Sequence, residues 1–391
     1  MKKQVTKRYL SILMALSALV LCSCGNKQVV TPSTTGTPAI VETATYEVRG
    51  AKLIYDDKFG GMYVDISIED FNKLGFSYGD SLNVSFSTGY NMVDVPYYNG
   101  YYVDMGEPLV VAYPGYELIR IGINYGEDLW ILAGLQEDST CTITLKEKGK
   151  YIDVQRLRDL VYSDEQGDMK DEVFANFRPI EVGNIKENLV YRGASPIDNK
   201  HNRAQVVDRL IKRENVQYII DLADSDEEIE SFYHEEDFKS PYFMDLYNNN
   251  KVKTLDMSVS FTSDDFSNKL VEGLQQMIVN DGPYYIHCQE GKDRTGYVCM
   301  LIEALAGASY DEIVADYMKT YDNYYSIRKE NEIERYTVIK EQNIDEMIEY
   351  VANDENANIK EIDLQKTVEN YLVRIGMTQD EVNTLKSKIT K

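Results

Sequence analysis

Seven positions of the chain, from Cys288 to Arg294, hold a cysteine, a lysine, an aspartate and an arginine. A loop that leads into a helix turns backbone N–H groups and the positive end of the helix dipole toward one spot, which favours an anion. A thiol at the start of such a loop lies in the same field, which favours its nucleophilic thiolate form. Arg294 adds a planar pair of donors that matches two oxygens of a phosphate group. The spacing therefore predicts an anion site with Cys288 as nucleophile.

The elements that must position this site can be predicted from the flanking sequence. The apolar residues 284–287 predict the end of a buried strand. An amphipathic helix is predicted after the loop, because apolar side chains recur at the i, i+3, i+4, i+7 spacing and Gly307 can end it. These side chains are Val298, Leu301, Ile302 and Leu305. A strand, a tight loop and a helix in this order place the thiol at the positive end of the helix.

The order His-Cys-x5-Arg-Thr-Gly in residues 287–296 resembles the signature loop of the cysteine-based phosphatases. Its Lys-Asp pair before the arginine resembles the atypical bacterial tyrosine and phosphoinositide phosphatase family. Two further stretches are similar to that family: the Tyr-Arg-Gly segment in residues 189–195 and the Ile-Asp-Leu strand that contains Asp221. Ala223 stands where family members often have arginine, so any charge contributed there is missing. A structural cysteine among surface charges would not explain these residue types at this spacing.

The resemblance implies hydrolysis of phosphate monoesters in two steps, without a metal or another cofactor. Cys288 is expected to attack phosphorus and form a phosphocysteine, while loop N–H groups and Arg294 hold the equatorial oxygens. His287 is expected to orient the loop, and Thr295 to donate to the thiolate as it leaves. Substrate binding is expected from the remaining loop residues and from the Tyr-Arg-Gly segment, that is, from Gln289, Glu290, Gly291, Lys292 and Arg192.

Three aspartates are candidates for the general acid. Asp293 is the candidate within the loop, where the atypical family carries an aspartate. Other cysteine phosphatases use an aspartate on a separate upstream loop, and Asp256 precedes the cysteine by a suitable distance, 288 − 256 = 32 residues. Asp221, at the end of a predicted strand, is the third candidate. For Asp256 and Asp221, a structural role as a helix cap or a solvated turn is an equally reasonable interpretation.

Composition excludes several classes of function. The chain has 391 residues and a net charge of −24, so we expect no nucleic-acid partner. There are five cysteines and three histidines, without a Cys-x-x-Cys pair or a Cys/His cluster at metal spacing, so no zinc site is predicted. The cysteines do not suggest a disulfide framework, and Cys141 is expected in an apolar core.

The first residues are typical of a bacterial lipoprotein signal peptide, predicted over residues 1–23. Four basic residues precede a short apolar run, and Leu21-Cys22-Ser23-Cys24 places a small residue before Cys24, the predicted site of lipidation. Residues 24–45, rich in Thr, Pro, Ser and Gly, predict a flexible tether. Removal of four positive charges would take the net charge from −24 to about −28. The expected location is extracytoplasmic, anchored to the bacterial cell membrane by lipid; ordinary secretion with cleavage nearby is the alternative interpretation.

Residues 46–152 predict an all-β domain with a barrel-like fold, because apolar residues alternate with polar ones. The alternation is clearest over 62–69, 82–86, 119–123 and 141–145. The glycine-containing turns at 57–61 and 126–128 resemble those of the β-barrel domain of the S-adenosylmethionine hydrolase (hydroxide adenosyltransferase) family. Met62 replaces the asparagine expected there, and the α/β half of that family is absent, so no activity is carried over. The role of this domain stays open.

Residues 153–391 predict the cysteine-phosphatase-like domain, an α/β fold of three layers around a mostly parallel sheet. Three functions remain open: a dual-specificity phosphatase for phosphotyrosine or phosphoinositide, an inositol-polyphosphate hydrolase that scavenges phosphate, and a surface protein that only binds phosphate. The presence of Cys288, Arg294 and Thr295 together favours an enzyme. Lys292 has two interpretations, since its ammonium can contact a second phosphate of the substrate or pair with Glu290 or Asp293 and shape the loop.

Overall fold

The computed structural model describes residues 45–354 and 358–391. The predicted signal peptide, the lipidation site Cys24 and the tether up to residue 44 lie outside the described residues. Residues from Ala44 onward form one compact unit, so that the barrel and the α/β part can be described together. Among the described residues, none of the helices combines the length and the hydropathy needed to cross a bilayer.

The first part of this unit is a closed β-barrel. Its strands are β1 (Glu47–Tyr55), β2 (Met62–Ser67), β3 (Ser81–Phe86), β4 (Asn91–Tyr98), β5 (Pro108–Val111), β6 (Leu118–Ile123) and β7 (Thr140–Glu147), and its short helices are α1 (Ile68–Lys73) and α2 (Leu129–Leu132). The strand order around the barrel is β1-β2-β6-β5-β4-β3-β7. The described strand pairs are antiparallel except β4 with β5. Closure pairs each of these seven described strands on both of its edges.

The alternating pattern fills the barrel, which confirms the predicted all-β fold. Met62 and Val64 on β2 and Leu82 and Val84 on β3 are fully buried in one apolar core. Cys141 lies in this core as a free thiol, and burial raises its pKa to about 12. The thiol is therefore protonated and acts as an apolar side chain.

The second part is a three-layer α/β fold, as predicted. It contains α3 (Ile152–Arg158), α4 (Asp171–Phe174), β8 (Arg178–Pro179), β9 (Val190–Gly193), α5 (Ala204–Arg213), β10 (Tyr218–Asp221), α6 (Asp226–Tyr233), α7 (Pro241–Asn248), β11 (Val252–Thr254), α8 (Asp264–Val279), β12 (Tyr284–His287), α9 (Asp293–Leu305), α10 (Tyr310–Tyr325), α11 (Ile333–Lys340), a π-helical turn (Glu341–Asp345), α12 (Glu346–Ala352), α13 (Leu364–Arg374) and α14 (Gln379–Ile389). The sheet order is β11-β10-β12-β9-β8, and only β8, at the edge, pairs antiparallel among these described strands.

Side chains of the central strand β12 supply both apolar cores. Tyr284 and Ile286 face the core shared with α8, α9 and α10, whereas Tyr285 faces the core shared with α5 and α7. The helix α9 is buried on nearly every side, because α10 and α13 cover the face that would otherwise meet water. The hydroxyl of Tyr297 on α9 donates to that of Tyr371 on α13 over 2.8 Å. The sequence predicted an amphipathic helix with one polar face. That part of the prediction was wrong, because the face opposite the apolar stripe is also buried.

The barrel contacts the α/β part through polar groups as well as apolar ones. The backbone N–H of Met105 donates to Glu346 Oε2 over 2.7 Å, and burial raises the pKa of this carboxyl to about 8. Ser260 Oγ donates to the carbonyl of Gly126, and Lys58 pairs with Glu228. These contacts bring one side of the barrel next to the carboxyl ends of the parallel strands.

Candidate functional site

The loop that starts with Cys288 leaves the middle of the parallel sheet. On either side of β12, His287 is in register with Asp221 of β10 and with Gly193 of β9. The carboxyl ends of three parallel strands therefore meet at the loop, the edge at which open α/β sheets bind ligands. Helix α9 begins at Asp293, directly after the loop, so that its N-terminal N–H groups face the same region.

The shape of the loop depends on Gly291. Its φ is +65°, and a Cβ at this position would lie 2.2 Å from the carbonyl oxygen of Gly193. The rest of the protein binds the carbonyl groups of the loop: Ser195 N–H donates to Gln289 O over 2.9 Å, and Tyr324 Oη donates to Glu290 O over 2.7 Å. With its carbonyls directed outward, the loop can direct its N–H groups at an anion.

Arg192 lies behind the loop, although the sequence suggested that it binds substrate. Its side chain is 1% exposed; one terminal nitrogen donates to Gly291 O over 3.0 Å, and the other lies 2.6 Å from Asp316 Oδ2. Arg178 pairs with the same carboxylate at 2.7 Å. Burial opposes the charge of Asp316, but Arg178 and Arg192 hold its pKa below the usual range. The geometry assigns Arg192 to positioning of the loop, because a group buried beneath the backbone cannot reach substrate.

A second acidic residue belongs to this buried group of charges. Glu303 on α9 is 1% exposed, and burial together with the charge of Asp316 raises its pKa well above the usual range. The shift favours the protonated form of Glu303, which leaves the two guanidinium groups of Arg178 and Arg192 facing the carboxylate of Asp316. The result is an excess of positive charge beneath the loop.

The predicted nucleophile and the predicted arginine both lie at the base of the loop. Cys288 is a free thiol and Arg294 belongs to the first turn of α9; each is 4% exposed. Arg294 donates from Nη1 to the carbonyl of Met257 over 2.7 Å, which fixes the guanidinium on one side. Thr295 is fully buried, and its hydroxyl has no hydrogen-bond partner within 45–354 and 358–391. The hydroxyl is therefore available to donate to a group in the loop.

A buried cluster of His287, Asp221 and Asp224 lies at the strand ends. His287 Nε2 is 3.8 Å from Asp221 Oδ2, and the other oxygen of Asp221 accepts the N–H groups of Ala223 and Asp224 over 2.9 and 3.1 Å. Burial raises the pKa of Asp221 to about 7 and that of Asp224 to about 8, and burial lowers the pKa of His287 to about 4. Sequence reasoning missed Asp224, which belongs to no motif; its position just after a strand end was the available signal.

Lys292 is turned toward the acidic residues on either side of it. Its ammonium lies 2.9 Å from Glu290 Oε2 and 3.8 Å from Asp293 Oδ2. The hydroxyl of Tyr162 donates to the other oxygen of Glu290 over 2.6 Å. Burial opposes the charge of Glu290, but Lys292 and Tyr162 lower its pKa to about 2. This arrangement agrees with the interpretation in which Lys292 shapes the loop.

The part of the chain that contains this site also matches the sequence model of a known family. Residues 174–391 match the sequence model of the tyrosine phosphatase family. The chain belongs to this family. The match covers β12, the loop and α9, and it supports the identification of a cysteine-based phosphatase. The match begins after the barrel. It therefore says nothing about the resemblance of the barrel to another family.

Comparison with solved structures gives two distant likenesses. An uncharacterised conserved protein from Thermotoga maritima is 25% identical over 27% of this chain, with a TM-score of 0.22, and the chain covers 38% of the length of that protein. The catalytic core of the PP-IP phosphatase SIW14 from Saccharomyces cerevisiae is 21% identical over 46% of this chain and 93% of its own, with a TM-score of 0.26. No curated protein sequence matches the chain.

The three candidate acids of the phosphatase occupy different surroundings. Asp293 is 30% exposed and adjoins Arg294 in the chain. The side chain of Asp221 is sealed from solvent by the strand ends. Asp256 is 48% exposed, lies 3.8 Å from Lys58 and lines a cleft of about 810 Å³ between the barrel and the α/β part. Of the three, Asp293 combines exposure to solvent with a position at the junction of the loop and α9.

Proposed function

We propose that the protein hydrolyses phosphate monoesters through a phosphocysteine intermediate. The observation that carries this proposal is the placement of Cys288 and Arg294 together, at the carboxyl end of β12 and the N-terminus of α9. In the first step a bond forms between Cys288 Sγ and phosphorus while the ester P–O bond breaks. The loop N–H groups and Arg294 hold the equatorial oxygens, which stabilises the charge of the transition state.

The leaving oxygen needs a proton in this step, and water attacks phosphorus in the second. Asp293 is the group that we assign to both proton transfers, since it is the candidate that adjoins the loop arginine and meets solvent. The hydroxyl of Thr295 donates a hydrogen bond to the sulfur of Cys288 as phosphate leaves. Asp256 is the alternative acid, because the carbonyl of the next residue, Met257, holds Arg294.

We assign phosphotyrosine or a phosphoinositide as the substrate, following the Lys-Asp form of the loop. Hydrolysis of inositol polyphosphates is the second candidate, and it depends on contact between Lys292 and a second phosphate. The pairing of Lys292 with Glu290 supports the first assignment, because a second phosphate would have to compete with that carboxylate. For the barrel, we propose only that its fold is similar to that of the β-barrel domain of the S-adenosylmethionine hydrolases, and we propose no activity.

The decisive experiment compares Cys288→Ser and Arg294→Ala with the unmodified protein. Cys288→Ser is expected to abolish turnover of p-nitrophenyl phosphate and to keep vanadate binding, because the loop and Arg294 remain. Arg294→Ala is expected to weaken both. Substantial turnover by Cys288→Ser would refute the covalent mechanism, and loss of turnover with unaltered folding in both variants would exclude a protein that only binds phosphate.

We propose further that the enzyme is anchored by lipid on Cys24 to the outer face of the bacterial cell membrane. The proposal rests on the small residue before Cys24 and on the preceding basic and apolar segments. The protein is expected to fractionate with membranes and to carry diacylglyceryl on Cys24. A Cys24→Ala protein that stays bound to membranes, with an N-terminal peptide free of acyl chains by mass spectrometry, would contradict this.

A further inference from the structure

The segment between α3 and α4 contacts the catalytic loop, although it lies outside the region that matches the family model. The hydroxyl of Tyr162, in this segment, donates to Glu290 Oε1 over 2.6 Å. The family match begins at residue 174, so Tyr162 precedes it, whereas Glu290 belongs to the same loop as Cys288. A residue that the family model does not cover therefore holds a side chain of the catalytic loop.

The carboxylate of Glu290 is held at both of its oxygens. Oε1 accepts the hydroxyl of Tyr162, and Oε2 lies 2.9 Å from the ammonium of Lys292. The side chains of Glu290 and Lys292 are 18% and 14% exposed, so water competes little for this ion pair. Burial and the charge of Glu290 raise the pKa of the Tyr162 hydroxyl, which therefore keeps the proton that it donates. A carboxylate bound in this way has little rotational freedom.

Tyr162 is held in turn by side chains of the phosphatase domain. Its ring stacks on that of Tyr324 with 5.2 Å between centroids, and the guanidinium of Arg203 lies 4.7 Å from its centroid. Arg203 is 4% exposed, and its Nη2 donates to the carbonyl of Ser163 over 2.9 Å. His201 Nε2 lies 3.2 Å from the hydroxyl oxygen of Tyr162. The hydroxyl that binds Glu290 is therefore fixed on a segment that has no helix or strand of its own.

This arrangement decides what the ammonium of Lys292 can bind. Lys292 immediately precedes α9, so it belongs to the end of the helix that favours an anion. Its ammonium is 2.9 Å from Glu290 and 3.8 Å from Asp293, and it is therefore already neutralised. A substrate with one phosphate needs only the loop N–H groups and Arg294. A second phosphate could bind Lys292 only by displacing the carboxylate that Tyr162 holds in place.

We propose that Tyr162 and Glu290 together withhold Lys292 from the substrate, so that the enzyme selects substrates with one phosphate over substrates with several. Glu290 is the residue that determines this specificity, and Tyr162 is a positioning residue that orients its carboxylate. The proposal rests on the proposed function, since it concerns the phosphate esters that the loop binds. It assigns the segment between α3 and α4 to substrate selection.

The test uses two lipids, a short-chain phosphatidylinositol monophosphate and the bisphosphate that carries one further phosphate on the same ring. The selectivity ratio is kcat/KM for the bisphosphate divided by kcat/KM for the monophosphate. In the full chain, Glu290→Gln is expected to raise this ratio about tenfold, because the released ammonium gains one charged contact. Tyr162→Phe is expected to raise it about threefold, because the carboxylate keeps its charge and loses only its orientation. Addition of Lys292→Met to either variant is expected to restore the original ratio.

Tyr310→Phe is the matched control, because the same three groups meet at a second place in the fold. The hydroxyl of Tyr310 donates to Asp345 Oδ1 over 2.7 Å, and Lys340 pairs with the other oxygen of that carboxylate. Tyr310 and Tyr324 are separated by about 20 Å along α10, so this group lies away from the catalytic loop. Tyr310→Phe is expected to leave both kcat/KM values unchanged.

The selectivity ratio separates this role from a general effect on the shape of the loop. Equal changes on both lipids in Glu290→Gln and Tyr162→Phe, no change, or loss of all turnover in both variants would overturn the proposal. A ratio that stays raised after Lys292→Met is added would also overturn it. The affinities of the two lipids, measured by calorimetry with the same substitutions in a Cys288→Ser protein, are expected to show the same ratios without turnover. The phosphatase assignment itself fails separately, if the unmodified protein does not hydrolyse p-nitrophenyl phosphate.

Discussion

Replacement of Gly291 by alanine should damage catalysis much more than stability. The added Cβ would lie 2.2 Å from the carbonyl oxygen of Gly193 and 2.3 Å from its carbon, whereas real Cβ contacts almost never fall below 3.0 Å. The backbone must therefore move by at least 3.0 − 2.2 = 0.8 Å. A displacement of about 1 Å at a reacting group can cost about a hundredfold in rate. We expect Gly291→Ala to lower kcat/KM for p-nitrophenyl phosphate by about that factor.

Gly149→Ala is a closely matched control for this experiment. Gly149 has the same φ, +65°, as Gly291, but a Cβ there would meet no atom within 4 Å. Its replacement therefore imposes the left-handed strain, about 1 kcal/mol, without a steric clash. Both variants are assayed for steady-state kinetics and for thermal unfolding by circular dichroism. The reasoning is refuted if Gly291→Ala retains kcat/KM within about threefold of the unmodified protein, or if Gly149→Ala loses as much activity.

Two other predictions concern charged groups around the loop. Burial raises the pKa of Asp224 to about 8. The native state therefore holds a proton that the unfolded chain releases near pH 4. The stability that this proton contributes is present at acid pH and is lost as the pH rises to about 8. Between pH 5 and pH 9, the unfolding free energy of Asp224→Asn, measured by denaturant titration, is therefore expected to fall less than that of the unmodified protein. An equal fall in both proteins would contradict the raised pKa of Asp224. Lys292→Met is expected to lower kcat/KM equally for a phosphotyrosine peptide and for a phosphoinositide, because it leaves Glu290 without its cation. Selective loss on the multiply phosphorylated substrate would show instead that Lys292 contacts a second phosphate.

The alternation of apolar residues was sufficient to predict the barrel, because strands with one face in a core have a period of two. Met62 and Val64 illustrate this, since both point inward. Helix α9 shows the limit of the same reasoning. Its apolar stripe was visible in the sequence. Its other face is covered by α13, which begins at Leu364, 364 − 305 = 59 residues after α9 ends at Leu305. Burial of that kind depends on tertiary packing and leaves no local periodicity.

The residues of the catalytic loop could be predicted because they are contiguous and their chemistry requires that spacing. Arg192 could be placed at the end of a strand, but the sequence does not tell whether its side chain lies above the loop or beneath it. Asp224 was missed for a related reason. It reaches the site through tertiary packing, from the end of a neighbouring strand.

The arginines beneath the loop have a consequence for how ionic strength acts on the enzyme. The guanidinium groups of Arg178 and Arg192 share the carboxylate of Asp316, and the raised pKa of Glu303 favours its neutral form. Mobile ions screen charges at the surface over about 8 Å at physiological salt, but they do not enter a packed interior. The acidic surface of this protein, which repels anions in dilute buffer, is thus screened as salt is added, whereas the buried positive charge keeps its strength. The attraction of a phosphate group should therefore survive in concentrated salt.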